Sequence, residues 1–329
     1  MIPYLLPAIR DWSEWSAVFT DAALWRPAVE RLWVAEPSLA ARTGVGRIET
    51  MTAGFPGTCA VFILNESAVI KLFPPLVAGD FDRERAVYRL LDGRLPEMPR
   101  LLADGVLRDR IDWPYLVTSF LPGAAWREAQ AAMPQAQQLA MAMTLGERIG
   151  HVHGTTISAG HGWPPPDAWP RFVATRLAEA PAALRTILPE RLAAEAEVLL
   201  QGTDWFDGGP RLLHGDLTQD HALVTEQGGV WSLSGLIDWA DAEIGHPAYE
   251  WVALYFGFCD GDVALLRAFL AGYAPNAVGR LPDRRQFLAY TLLHRFGAHI
   301  LAGALPNETR RDLANLDELA GRLFPGFDA

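Results

Sequence analysis

Two short stretches of this chain carry residue types that together could move a phosphoryl group. Leu212-Leu213-His214-Gly215-Asp216 is an apolar run ending in a carboxylate, and Leu236-Ile237-Asp238-Trp239 contains a second. Phosphoryl transfer needs two carboxylates with different tasks. One orients the accepting hydroxyl and takes its proton, and the other holds Mg²⁺ against the nucleotide phosphates. Asp216 is the candidate for the first task. Asp238 is the candidate for the second, because hard carboxylate oxygens suit a hard cation. Gln227-Gly228-Gly229 lies between them as a turn sequence. The two stretches are therefore expected to form one hairpin that sets the carboxylates side by side. His221 follows shortly after Asp216 and is a candidate for metal or phosphate binding. Imidazole is soft for Mg²⁺, so a packing or hydrogen-bonding histidine beside the site is the competing reading.

A cation is needed to hold the α- and β-phosphates. Lys71 sits inside the apolar strand Ala68-Val69-Ile70-Lys71-Leu72-Phe73. Burying its ammonium there is costly unless it is paired. Glu84, on a helix expected over 80–91, is the proposed partner, with Asp82 as the competitor. The loop from Thr52 to Thr58 has Gly54 and Gly57 and matches neither G-x-G-x-x-G nor the Walker A pattern. Its place two strands ahead of Lys71 is what makes it, and Thr58 with it, a candidate phosphate cover. Asp220, Asp241 and Glu243 flank the two motifs, and Asp260 is similar. These carboxylates could bind ammonium groups of a cationic substrate. Ordinary solvated carboxylates are the alternative, and Asp262 reads as a helix N-cap.

Other elements follow from periodicity. Residues 10–36 show apolar positions at helical spacing. Residues 48–73 read as β-strands, and 114–118 as another. Helices are expected over 139–152, 171–201, 247–258, 262–273, 284–301 and 315–324, and Pro164-Pro165-Pro166 reads as a loop. His151, His153 and His161 lack close cysteine or carboxylate partners in sequence, so a structural role is favoured over a metal cluster. No G-x-S-x-G occurs, which removes the basis for a hydrolase triad.

The chain has 329 residues, half of them hydrophobic, with a net charge of −11 and two cysteines. That is length for a large core, and it excludes a disordered chain and a disulfide framework. The acidity disfavours nucleic acid and suits a cationic ligand. No apolar run reaches the length needed to span a bilayer, and the first residues lack a basic leader. The expectation is a cytoplasmic protein, without membrane or nucleic-acid partners, that acts as a monomer.

H-G-D-x₄-H followed by I-D-W resembles the aminoglycoside phosphotransferase family. The resemblance implies an α+β, two-lobed protein-kinase-like fold. A small β-rich N-terminal lobe would cover 1–118 and bind nucleotide. A hinge would lie at 119–123, and a larger, mainly helical C-terminal lobe would cover 124–329. It implies ATP or GTP as donor and Mg²⁺ as the metal. Ser119 and Leu121 would offer backbone groups to the nucleobase. At His221 the family commonly has Asn, although macrolide kinases of the superfamily carry His, and His246 stands where Asp is usual. Ala68–Phe73, Trp113–Val117, Gly123–Arg127 and Phe287–His294 look like the hygromycin B 7''-O subgroup. The implied acceptor is a cationic small-molecule antibiotic of the aminoglycoside or aminocyclitol type, hygromycin B first. Two alternatives stand beside it: a kinase of the same fold acting on a macrolide or a metabolite, and a non-catalytic pseudokinase serving as a binding module. A protein kinase is disfavoured because no A-P-E follows Asp238 at activation-loop distance.

Overall fold

A computed structural model describes residues 4–55, 57–157, 167–205, 209–273 and 283–327. His161 and the Pro164–Pro166 loop lie outside the described residues. The chain divides into two units. The first comprises Met1–Ala124, Leu223–Thr225 and Ser234–Asp241, and the second comprises Ala125–Ala222, Glu226–Leu233 and Ala242–Ala329. The secondary structure is that of an α+β, kinase-like fold, with an antiparallel sheet in the first unit and mainly helices in the second.

The first unit begins with α1 (Trp12–Ser16), α2 (Ala22–Ala35) and α3 (Pro37–Thr43). Asp21 caps α2 by accepting the N–H groups of Ala23 and Leu24 at 3.0 Å each. Strands β1 (Met51–Ala53), β2 (Ala60–Leu64), β3 (Ala68–Leu72), β4 (Leu101–Arg108) and β5 (Asp112–Ser119) form a sheet ordered β1-β2-β3-β5-β4. Helix α4 (Ala78–Leu91) lies in sequence between β3 and β4. Strands β2 and β3 alternate buried and half-buried positions, as a strand with one face on a core must. That core is rich in tryptophan. Trp25 meets Trp113 edge-on at 4.9 Å between ring centroids, and Trp15 stacks on Trp113 at 5.5 Å. Trp15 also donates its indole N–H to the Thr58 carbonyl at 2.8 Å, which ties the N-terminal helices to the loop ahead of β2.

The second unit opens with β6 (Ala124–Ala125), whose first residue still belongs to the first unit, and α5 (Trp126–Ala129). Helices α6 (Gln135–His153), α7 (Ala168–Arg185) and α8 (Glu190–Gly202) follow, then strands β7 (Arg211–Leu213), β8 (Ala222–Gln227), β9 (Val230–Leu236) and β10 (Glu243–Gly245), of which β8 over 223–225 and β9 over 234–236 belong to the first unit. The chain continues through α9 (Pro247–Ala253), α10 (Val263–Tyr273), α11 (Arg284–Leu293), α12 (Gly297–Ala304), α13 (Asn307–Asp312) and α14 (Leu316–Leu323). Among the described residues no helix is long and apolar enough to cross a membrane.

Two expectations are corrected. The turn at 227–229 does join two paired strands, but they are β8 and β9; β7, which leads into Asp216, pairs with β10 instead. The Asp216 and Asp238 stretches are therefore not the arms of one hairpin. The expected helix over 284–301 is two helices, broken at His294–Phe296, where His294 takes an extended ψ of 140°. Gly297 permits the tight return, since a Cβ there would stand 2.3 Å from the Thr291 carbonyl oxygen.

Helices α6 and α10 touch through glycine. A Cβ on Gly146 would lie 1.9 Å from the Phe269 carbonyl oxygen, and one on Gly272 would lie 1.9 Å from that of Met143. Backbone cannot give way as a side chain can. Gly146→Ala is therefore expected to destabilise the protein by the upper end of about 1–3 kcal/mol. Gly303→Ala, in α12 with nothing within 4 Å, should instead stabilise it by about 0.5–1 kcal/mol. Urea unfolding of both variants checks the contrast.

Candidate active site

In the first unit, strand β3 carries Lys71 into a pocket of carboxylates. Its ammonium lies 2.8 Å from Glu84 Oε2 on α4 and 2.7 Å from Asp238 Oδ1, just after β9. Glu84, not Asp82, is thus the partner; Asp82 pairs with Arg85 at 2.7 Å. Burial works against the Lys71 charge, but Asp238 and then Glu84 outweigh it and raise the pKa well above the ordinary lysine value. Burial pushes the Glu84 carboxyl up to about 7, with Lys71 opposing. Asp238 has φ +62°, the left-handed region, where Asp is better tolerated than most residues. Arg83 on α4 donates to the neighbouring Ala240 carbonyl at 2.7 Å and fixes this turn.

Thr58 contributes its carbonyl to Trp15, as above, and its side chain is on the exposed loop. Ser119 is already committed: its N–H donates to the Arg100 carbonyl at 2.9 Å, and its hydroxyl accepts the Arg100 N–H at 3.0 Å. Of the backbone groups expected to meet a nucleobase, its N–H is thus engaged within the first unit. Leu121 packs its side chain beside Gly235. Asp241 ends the first unit's 234–241 segment and is half-buried.

In the second unit, the loop 214–221 carries Asp216 and His221. Gly215 turns at φ +83°, which glycine allows without strain. Glu250, fully buried on α9, accepts the N–H of His214 at 2.6 Å and that of Gly215 at 3.3 Å. His153 on α6 approaches the other Glu250 oxygen at 2.5 Å, and its Nδ1 lies 2.8 Å from the Tyr273 hydroxyl on α10. Sequence reasoning missed Glu250. Its signal was a carboxylate inside the apolar stretch 247–258, which has to be matched when buried. The H-x-H histidine His153 has the structural role favoured for it.

His221 Nδ1 lies 2.7 Å from the Asp216 backbone carbonyl, an acceptor, so Nδ1 carries the proton. His246 stands in for the family's Asp by capping α9: its Nδ1 accepts the Ala248 N–H at 3.1 Å. Asp220 is bound in two-pronged fashion by Arg127, at 2.6 and 2.8 Å. Glu243 starts β10 and accepts the N–H of Ile244 at 3.1 Å. Asp262 caps α10 through Ala264 at 2.7 Å, as its place in sequence suggested.

Asp216 lines a cavity of about 590 Å³ within the second unit. Of the acidic residues nominated from sequence for substrate binding, Asp260 lines it too, and Asp220 and Glu243 do not. One wall is a wide helical turn after α9. There Cys259 donates back to the Leu254 carbonyl at 2.8 Å and Gly261 to that of Tyr255 at 2.9 Å. Gln219 binds the Gly257 and Phe258 carbonyls of this turn at 3.1 Å each, locking the 214–221 loop to it. Among the described residues no group of three His, Cys, Asp or Glu side chains could hold a metal alone.

Residues 59–290 match the phosphotransferase enzyme family. The chain belongs to that family. Among curated relatives of this phosphotransferase, the homoserine kinase of Gluconacetobacter diazotrophicus is 30% identical over 183 residues, 53% of this chain and 54% of that protein. The viomycin phosphotransferase of Streptomyces vinaceus is 28% identical over 193 residues, 54% of this chain and 62% of that protein. The matched stretches thus span little more than half the length of these relatives. Among solved structures, the GDP complex of wild-type aminoglycoside 2'-phosphotransferase-IIIa superposes with a TM-score of 0.63 at 19% identity, covering 89% of this chain and 96% of that one. A thermostable mutant of aminoglycoside phosphotransferase APH(4)-Ia, in ternary complex with ADP and hygromycin B, gives 0.55 at 16% identity, covering 90% and 96%. At these identities the likeness is one of fold.

The raised Glu84 pKa makes a pH prediction. Between its ordinary 4.5 and about 7 the folded protein holds this proton more tightly than the unfolded chain does. The Glu84 contribution to stability is therefore full at low pH and declines as pH rises through that window. Glu84→Gln should remove this decline, a slope change of at most about 1.4 kcal/mol per pH unit. Urea unfolding from pH 5 to 7.5 measures it; parallel slopes for wild type and variant would sink the assignment.

Proposed function

We propose that this phosphotransferase is a small-molecule kinase that transfers the γ-phosphate of ATP or GTP to a substrate hydroxyl. The observation that carries the reading is Lys71, a strand lysine with 12% of its side chain exposed, held between Glu84 and Asp238. An ammonium fixed by two carboxylates is preorganised to meet phosphate oxygens without reorganising at the moment of reaction. Asp216 is the base: it orients the acceptor hydroxyl and takes its proton as the oxygen attacks the γ-phosphorus. Asp238 would hold Mg²⁺, since its hard carboxylate oxygens suit that cation. When bound, the metal neutralises charge on the phosphates. His221 presents Nε2 as a metal or phosphate-side group. In this reading the first unit serves the nucleotide and the second the acceptor.

The sequence resemblance favours an aminoglycoside acceptor, with hygromycin B first. The cavity favours a second reading, an acceptor of lower charge such as a metabolite or a macrolide. The acidic crown that a polyammonium compound would need is reduced, because Asp220 is spent on Arg127. A coupled turnover assay with Mg²⁺, ATP and GTP in parallel decides between them, run against hygromycin B, kanamycin, homoserine and a macrolide. Turnover with hygromycin B would support the first reading. Turnover only with a low-charge acceptor would support the second, and nucleotide binding with no transfer to any acceptor would favour a pseudokinase.

Asp216→Ala should lower transfer by about 10²–10⁴-fold while nucleotide affinity stays within a few-fold of wild type. Loss of nucleotide binding instead would overturn the role assigned to Asp216. His221→Asn, which restores an amide oxygen, should retain substantial turnover. A folded but inactive variant would show that the imidazole does something an amide cannot.

A further inference from the structure

Gln219 lies in the loop between Asp216 and His221, with only 6% of its surface exposed. It faces the wide turn Leu254–Phe258. In a continuing α-helix the Gly257 and Phe258 carbonyls would accept the N–H groups of Gly261 and Asp262, four residues on. Here Gly261 donates to Tyr255 and Asp262 to Cys259, at 2.9 Å each, so those two carbonyls need other donors. Gln219 supplies both. Its backbone N–H donates to the Gly257 carbonyl and its side-chain amide to the Phe258 carbonyl, at 3.1 Å each. A carbonyl only accepts, so it is the amide nitrogen that faces Phe258. The same nitrogen donates to Gln130 Oε1 at 3.2 Å, and the Gln219 carbonyl accepts the Arg127 N–H at 3.2 Å. The turn held in this way is also a wall. Tyr255, Phe256 and Gly257 line the cavity that Asp216 and Thr218 line. Loop and wall approach closely: a Cβ on Gly257 would stand 2.7 Å from Thr218 Cγ2.

We infer that Gln219 is a positioning residue for phosphoryl transfer, which fixes the loop carrying Asp216 to the turn that walls the acceptor cavity. The inference rests on the kinase reading of Asp216 and deepens it. Gln219 acts through the Gly257 and Phe258 carbonyls and need not touch the acceptor. The base and the wall that an acceptor leans on then move as one piece. An apolar side chain at 219 would leave the Phe258 carbonyl without this donor, and an unmet buried acceptor favours any shift of the turn that finds it water. A shift of about 1 Å between base and acceptor can cost up to about 10²-fold in rate.

The test uses the full chain with MgATP and takes water as the acceptor, read as release of phosphate. Gln219→Met, similar in length but without the N–H, should lower kcat for hydrolysis about tenfold or more, with KM for MgATP within about twofold of wild type. Gln219→His, which keeps an N–H donor at similar reach, should recover most of that loss. A glutamine serving stability alone would lower the urea midpoint and leave kcat of the folded protein unmoved, and that result overturns the inference. Amide hydrogen exchange on the wild type tests it without any variant. The N–H groups of Gln219, Cys259 and Gly261 should open together, with protection equal within about threefold. Independent protection of loop and turn overturns the inference even if neither variant folds. If the wild type binds MgATP without measurable hydrolysis, the exchange comparison decides alone. Failure of the wild type to bind MgATP counts against the kinase reading instead.

Discussion

An ammonium group taken out of water has to be matched, and the first unit is arranged around matching that of Lys71. The strand supplies the cation, α4 supplies Glu84, and the segment after β9 supplies Asp238. Three parts of the chain that are distant in sequence thus meet at one charge. Asp238 is more than a third exposed, whereas the Lys71 and Glu84 side chains are largely out of water; the shared contacts hold the three parts in register. Arg83 reinforces the same junction by gripping the Ala240 carbonyl next to Asp238. The left-handed turn at Asp238 costs of order 1–3 kcal/mol for a non-glycine residue, and such strain persists only where the surroundings over-determine it. Here they do. The tryptophan core behind the sheet adds a further tie through Trp15 and the Thr58 carbonyl.

The second unit solves a different problem, how to hold a loop whose backbone N–H groups point inward. Glu250 accepts two of them, and its other oxygen is met by His153, which in turn is met by Tyr273. The chain of contacts joins α9, α6 and α10 to the residues just ahead of Asp216. The glycines that bring α6 and α10 into backbone contact make this possible, since a bulkier residue at Gly146 would push apart the two helices that carry His153 and Tyr273. Rigidity of the loop follows from packing several turns away.

How much of this was legible in the sequence depended on how local each signal was. Lys71 stood out because a charge in an apolar hexamer has few explanations. The helix end marked by Asp262 was legible because caps act within three residues. Strand pairing was not. Gln227-Gly228-Gly229 announced a turn, but which strands it joined depended on β10, a three-residue strand that finds β7 across a long stretch of chain. Strand β4 was hidden by Asp104-Gly105, which reads as a turn. Gly105 is there because the Tyr115 hydroxyl would stand 2.6 Å from a Cβ. The helix break at His294 had no proline or glycine before it, so nothing in the local pattern placed that imidazole in the cavity wall. Glu84 over Asp82 was decided by three-dimensional reach alone.

Overall charge and site charge also proved to be separate quantities. A net charge of −11 suggests a cationic ligand only if the acidic residues converge on the site. Here the nominated carboxylates disperse. Asp220 is neutralised by Arg127, Glu243 binds a neighbouring backbone N–H in β10, and Asp241 belongs to the first unit. What remains on the wall beside Asp216 is Asp260, which itself lies close enough to Arg127 to help hold that guanidinium charged, after Asp220. A polyammonium ligand would have to recover several desolvation penalties from two carboxylates. An amphiphilic hydroxy compound with one amine would face one such penalty and could gain from the aromatic wall. On this balance it is the placement of carboxylates, not their number, that sets the charge a ligand would meet in this cavity.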